Sequence, residues 1–238
     1  MHASLEMATS AGAPMVRIVP GELETRNAPT RLVIPTSKQP EWPPFVRAGE
    51  VIVNRRQDFP PHAHENEEVL TYVVEGLAAY AVESGAVESL RPGSARLLST
   101  SVSVKHRISP ARSGPIRWFN LVVSAPGKAG PKPLMQASEP PTSPKYDEDA
   151  HVREIVGAKP GMTSVTGLEV SEIDFVVPST TFRRLGHDRR GLVYALTGRG
   201  TVDSRPIDAG EAALVEGAAG IAIGGDVGFR VIVATAPR

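Results

Sequence analysis

The chain of 238 residues has no cysteine, no net charge and no long apolar run, and each lack closes off a class of function. Without thiols there is no disulfide framework, no thiolate metal site and no cysteine nucleophile. Lys and Arg number 26 against 26 Asp and Glu, so no bulk field draws the molecule onto phosphate backbones or acidic lipids, and direct contact with nucleic acid is not expected. No apolar stretch approaches the roughly 18 residues of a membrane helix. The start, Met1 to Pro14, contains Glu6 and no basic-then-apolar pattern of a secretory signal. The expectation is a soluble cytoplasmic protein.

What is present points to a β-rich chain. Hydrophobic residues make up 41% and charged residues 22%, enough apolar side chain to close one large core or two modest ones. There are 22 glycines and 22 prolines, well above average usage, so the chain turns often. From Arg31 onward, short Val/Ile/Leu-rich stretches (RLVI, EVIV, EVLTYVVEG, ARLLS, RWFNLVV) alternate with Pro/Gly turns, the rhythm of an antiparallel sandwich or barrel. Residues 1–15 are small and polar without periodicity and read as a flexible leader. Residues 126–149 hold six prolines and no apolar run, which reads as a linker or strap. The expected division is therefore a leader at 1–15, a first barrel at 16–125, the Pro-rich segment at 126–149 and a second barrel at 150–238.

An internal repeat supports two barrels. Leu70-Thr-Tyr72-Val-Val-Glu-Gly76 matches Leu192-Val-Tyr194-Ala-Leu-Thr-Gly198, both L-x-Y-x-x-x-G, and Gly93-Ser-Ala95-Arg-Leu97 matches Gly210-Glu-Ala212-Ala-Leu214, both G-x-A-x-L, at offsets of 122 and 117 residues. Two landmarks in the same order at nearly the same offset argue for duplication.

One constellation could carry chemistry. His62 and His64 are spaced i, i+2 in FPPHAHENEEV, so on an extended chain they project from one face, and Glu68 shares their parity. Two such imidazoles can serve one cation, and the carboxylate can add a ligand oxygen or a base. His106, in SVSVKHRIS, completes a trio if its strand lies beside the first. Taken singly, each histidine fits an exposed turn or a strand edge. The same parity sends Glu65 and Glu67 to solvent. Tyr72 and Tyr80 are expected to fill the barrels, and Trp118 with Asn120 and Phe119 with Leu121 occupy opposite faces of one strand.

Residues 60–110 resemble the first barrel of the cupin superfamily: His62-x-His64-x-x-x-Glu68, Gly76, Pro92-Gly93, then His106. Within it they are similar to the pirin family, which has P-H-x-H before a T-Y-V-x-E-G strand, as in Pro61-His62-Ala63-His64 and Thr71 to Gly76. The resemblance implies an all-β bicupin, two cupin-type barrels packed face to face. It also implies a divalent metal, iron first, with nickel, copper, manganese or zinc as alternatives, held by His62, His64, His106 and a glutamate two residues beyond the last histidine. That residue here is Ile108. Three readings stand: Glu68 completes the coordination, the site uses three histidines alone, or metal binding is lost. In the second half, counting back from Tyr194 and on from Gly210 places Arg184, Gly186, Arg190 and Ile223 at the corresponding positions, so the second barrel is expected to be metal-free and structural.

Some pirins resemble quercetin 2,3-dioxygenases, which implies an oxygenase acting on a flavonol or similar aromatic, with Glu68 as candidate base. Other pirins are co-regulators that dock on a protein partner. A cupin binding a small ligand without turnover is a third reading.

Overall fold

A computed structural model describes residues 14–24, 29–53, 60–83, 85–112, 114–141, 149–157 and 161–238. No helix occurs among them. Four antiparallel sheets form two barrels. The first barrel has a large sheet in the order β12 (Leu134–Ser138), β9 (Ala95–Thr100), β6 (Glu67–Glu75), β11 (Ile116–Ser124), β4 (Phe45–Val53), β3 (Thr30–Ile34), β2 (Glu22–Glu24). Its small sheet runs β5 (His62–His64), β10 (Val104–Pro110), β7 (Ala78–Val82), β8 (Glu88–Leu90). The second barrel has a large sheet in the order β1 (Met15–Val19), β19 (Ala212–Glu216), β16 (Arg189–Thr197), β21 (Arg230–Pro237), β14 (Glu169–Phe175), β13 (Ala150–Val156), and a small sheet β15 (Ser179–Arg184), β20 (Gly220–Gly225), β17 (Arg199–Val202), β18 (Arg205–Asp208).

The sheet orders repeat strand for strand except for β2, which makes the first large sheet seven strands against six, so the duplication legible in the sequence is a duplication of topology. Registers repeat as well: Phe119 faces Tyr72 and Glu50 as Ile232 faces Tyr194 and Glu172. The landmark glycines have a common cause. Gly76, Gly198, Gly93 and Gly210 all lie at φ between 73° and 88°, a left-handed backbone that side chains disfavour.

The segments outside the repeat are exchanged. β1, at the start of the chain, pairs with β19 of the second barrel, and β12, inside the Pro-rich segment, pairs with β9 of the first. Each takes the same edge of its sheet. The segment expected as a linker thus supplies a strand and ties back onto the barrel it leaves. Most of the leader, residues 1–13, and residues 142–148 lie outside the described residues.

Three cores follow from strand alternation. On β6 the even residues Leu70, Tyr72 and Val74 join Phe119, Leu121, Leu192, Tyr194 and Ile232 between the barrels. The odd residues Val69 and Val73 point into the first barrel, with Tyr80, Ile108 and Trp118. The second barrel is filled by Phe175, Val202, Ile221, Ile223 and Phe229. Tyr80 and Trp118 therefore fill the first barrel, and Tyr72 fills the seam between the two.

Candidate metal centre

β5 lies against β10 with His106 opposite His62 and Val104 opposite His64. The i, i+2 spacing on the short strand β5 places both of its imidazoles on the face towards His106, and three rings converge at the end of the first barrel. His106 Nε2 is 2.9 Å from His62 Nε2 and 3.2 Å from His64 Nε2. The rings stand edge to face, with centroids 4.5 to 4.9 Å apart, and one ligating atom from each lies within 4.8 Å of the others.

The opposite edge of each ring is held. His62 Nδ1 is 3.2 Å from the Pro60 carbonyl, His64 Nδ1 is 2.6 Å from Glu67 Oε2, and His106 Nδ1 is 3.2 Å from the Tyr80 hydroxyl. A carbonyl and a carboxylate can only accept, which puts the proton on Nδ1 of His62 and His64 and leaves their Nε2 lone pairs facing inward. The Tyr80 hydroxyl can accept from His106 in the same way. Burial, then the proximity of His62 and His64, pushes the His106 pKa down to about 3, and burial lowers that of His62. Neutral imidazoles with lone pairs about 3 Å apart repel one another unless a cation lies between them. The spacing suits one: nitrogens about 2.1 Å from a common ion and at right angles lie roughly 3.0 Å apart. The donor set therefore fits a divalent metal of borderline softness, with partners already in place to orient the rings.

Glu68 is not part of this cluster. Its side chain is fully buried, and its carboxylate accepts hydrogen bonds from Ser99 Oγ at 2.7 Å, Ser164 Oγ at 2.5 Å, the Val165 and Thr166 amides at 2.9 and 3.1 Å, and Thr166 Oγ1 at 2.5 Å. Burial alone would raise its pKa, but the hydrogen bonds outweigh it and hold the carboxyl below the ordinary value. Four of the five donors come from the second half of the chain. The parity argument failed at Asn66, whose φ of 56° places a left-handed residue between β5 and β6 and resets the alternation. Odd residues of β6 then share the histidines' side, so Glu67, expected in solvent, meets His64, while Glu68 turns towards the other barrel.

Ile108 is wholly buried, one strand position inward from His106 and opposite Tyr80, so no carboxylate stands where the resemblance would put one. Trp118 and Asn120 face this interior, the latter accepting from Thr71 at 3.2 Å. In the second barrel, Ile223 pairs with Val202 as Ile108 pairs with Tyr80, and Arg183 pairs with Ile221 as His62 pairs with His106. The counterparts of the first two ring positions are thus Arg183 and Ile221, rather than the Arg184 and Ile223 reached by counting along the chain. Arg183 is engaged by Glu154 at 2.7 Å and by Ser171.

A duplicated β-barrel chain with three histidines inside one barrel defines a bicupin. Residues 35–121, the stretch that carries all three histidines, match the Pirin family model. Over 96 residues, 38% of this chain, it is 28% identical to a Vibrio cholerae protein named provisionally as a quercetin 2,3-dioxygenase, and the match spans only about a third, 34%, of that relative. Among solved structures it is similar to GK1651 from Geobacillus kaustophilus (TM-score 0.82, 20% identity, 94% of this chain and 96% of that one). It also resembles the bacterial pirin YhhW of Escherichia coli in complex with nickel(II) (TM-score 0.79, 14% identity, 94% and 99%), and a quercetin 2,3-dioxygenase from Acinetobacter baumannii (TM-score 0.79, 16% identity, 93% and 79%). At these identities the structural likeness establishes the bicupin fold.

Proposed function

We propose that His62, His64 and His106 bind one divalent transition metal, Fe(II) or nickel(II) foremost, and that the centre serves a dioxygenase of the quercetin 2,3-dioxygenase type acting on a flavonol or a similar acidic aromatic. The observation that carries this reading is the convergence of three Nε2 atoms, 2.9 and 3.2 Å apart along two sides. The likeness to a nickel-bound pirin and to quercetin dioxygenases agrees with it.

A metal held there supplies Lewis acidity towards an enol or phenol oxygen and access to dioxygen. The protein's own groups do the rest. The Pro60 carbonyl and Glu67 fix His62 and His64 in the ligating tautomer, and the Tyr80 hydroxyl holds the outer nitrogen of His106. Ile108, Trp118 and Val73 make the barrel behind His106 apolar, which keeps water away from that side of the rings. Among the described residues Glu68 is committed to the other barrel and Glu67 to the outer nitrogen of His64, so neither carboxylate faces the converging Nε2 atoms, and the substrate this site suits is one acidic enough to lose its proton readily.

The test is oxygen uptake and carbon monoxide release with quercetin by protein reconstituted with Fe(II) or Ni(II). Uptake that depends on His106 and is insensitive to Glu68→Gln supports the reading. Fully loaded protein that consumes no oxygen with quercetin or related flavonols overturns the dioxygenase assignment.

A further inference from the structure

The duplication produces two matching polar constellations in the seam between the barrels. Tyr194 of the second half lies against Glu50, which accepts from Arg117 Nε at 2.7 Å. Tyr72 of the first half lies against Arg230, whose Nη2 is 3.4 Å from the Tyr72 hydroxyl and 2.5 Å from Glu172 Oε1. Register equates the members: Arg31 faces Glu50 as Arg153 faces Glu172, and Arg31 packs on Gly210 as Arg153 packs on Gly93. The shared framework explains why G-x-A-x-L recurs, since a side chain at either glycine would meet that arginine.

The two copies are completed differently. In the first, Arg117 also donates to the Leu196 carbonyl, Glu50 is almost fully buried, and the flanking positions are Pro29 and Ile52. In the second, the flanking positions are His151 and Asp174, and a cavity of about 230 Å³ opens on the group, walled by Pro92, Pro140 and Pro141. Arg230 and Asp174 face each other on neighbouring strands, yet they form no ion pair among the described residues. Arg230 is paired with Glu172 through Nη2; among the described residues its Nε and Nη1 make no hydrogen bond and the half-buried Asp174 carboxylate accepts none. A framework that is closed in one copy is, in the other, hollow, with the guanidinium edge that Glu172 leaves open and the Asp174 carboxylate both on its wall.

We propose that this cleft binds a small zwitterion of amino-acid size, its carboxylate on Arg230 and its ammonium on Asp174. Groups of both signs on one wall favour a ligand carrying both charges: its carboxylate takes the Arg230 N–H groups that Glu172 leaves open, and its ammonium takes the Asp174 carboxylate. Water occupies about 30 Å³ per molecule in the liquid, so the volume corresponds to roughly eight waters, or one amino acid with a modest aliphatic side chain against the prolines. The site is separate from the histidine cluster and independent of it.

Isothermal titration of chelator-treated protein with the L-amino acids, one at a time, tests the proposal. At least one is expected to bind with a dissociation constant below about 10 mM, unchanged when metal is restored. Its methyl ester and its decarboxylated amine should each bind at least about tenfold more weakly. Asp174→Asn, which disturbs no hydrogen bond among the described residues, should weaken the parent ligand by a similar factor. Absence of binding by every amino acid, equal binding of the amine or ester, or full affinity in Asp174→Asn would each overturn it.

Discussion

Replacing Glu68 by alanine separates a structural carboxylate from a metal ligand. Five donors converge on this side chain, but they are not equally stranded by its loss. Ser164 Oγ and Thr166 Oγ1 lie 2.9 Å apart and can pair with each other, and the Thr166 and Leu168 amides already reach Ser164 Oγ at 3.0 and 2.9 Å. The Val165 amide and Ser99 Oγ have no second partner among the described residues, and each buried donor left unmet costs about 1 to 3 kcal/mol. Removing the desolvated charge offsets part of this, so the net loss is about 3 kcal/mol, a large share of the roughly 5 to 15 kcal/mol of a folded domain. Urea unfolding of chelator-treated wild type and variant reads it directly. The sign with pH follows from the depressed pKa: the Glu68 contribution is complete above the unfolded carboxyl value and is lost as pH falls through the lower folded one, so Glu68→Gln should flatten the acid limb of the stability profile. Metal stoichiometry should be unaffected. A loss under about 1 kcal/mol would refute the anchoring role, and a variant that folds but no longer takes up metal would return Glu68 to the coordination sphere.

Glu67→Gln and Tyr80→Phe remove the groups that orient His64 and His106, and each should weaken metal binding by about 10- to 100-fold in a competition titration while leaving the fold intact. Ile108→Glu buries a carboxylate beside His106; the metal-free variant should unfold several degrees earlier than wild type because that group is unpaired, and added divalent metal should restore the loss, as thermal unfolding with and without the ion would show. If the variant is as stable as wild type without metal, the interior at Ile108 is not the dry wall described above.

The fold was largely legible in the sequence because duplication writes itself in turn glycines. Tyr72/Tyr194 and Gly93/Gly210 mark equivalent places in two barrels, and their offsets fall where the strands align. The exchange of β1 and β12 was not legible, since a short strand at a sheet edge needs only a few residues and Leu134–Ser138 sits among prolines that signal a strap. The histidine trio could be read because its members lie on adjacent strands with unbroken alternation within each. Glu67 and Glu68 were assigned to the wrong faces because one left-handed residue, Asn66, inverts a parity that composition cannot reveal. Ile108 was visible as a departure from the pirin pattern, but its place in the apolar wall follows from the register with Tyr80.

Equilibrium dialysis against Ni(II), or against Fe(II) under argon, followed by elemental analysis, tests the metal centre most directly. The arrangement of His62, His64 and His106 predicts one ion per chain, and none above background in a His106→Ala variant that keeps its β-sheet circular dichroism. A wild-type chain that retains no ion, or a His106→Ala chain that still retains one, would contradict it.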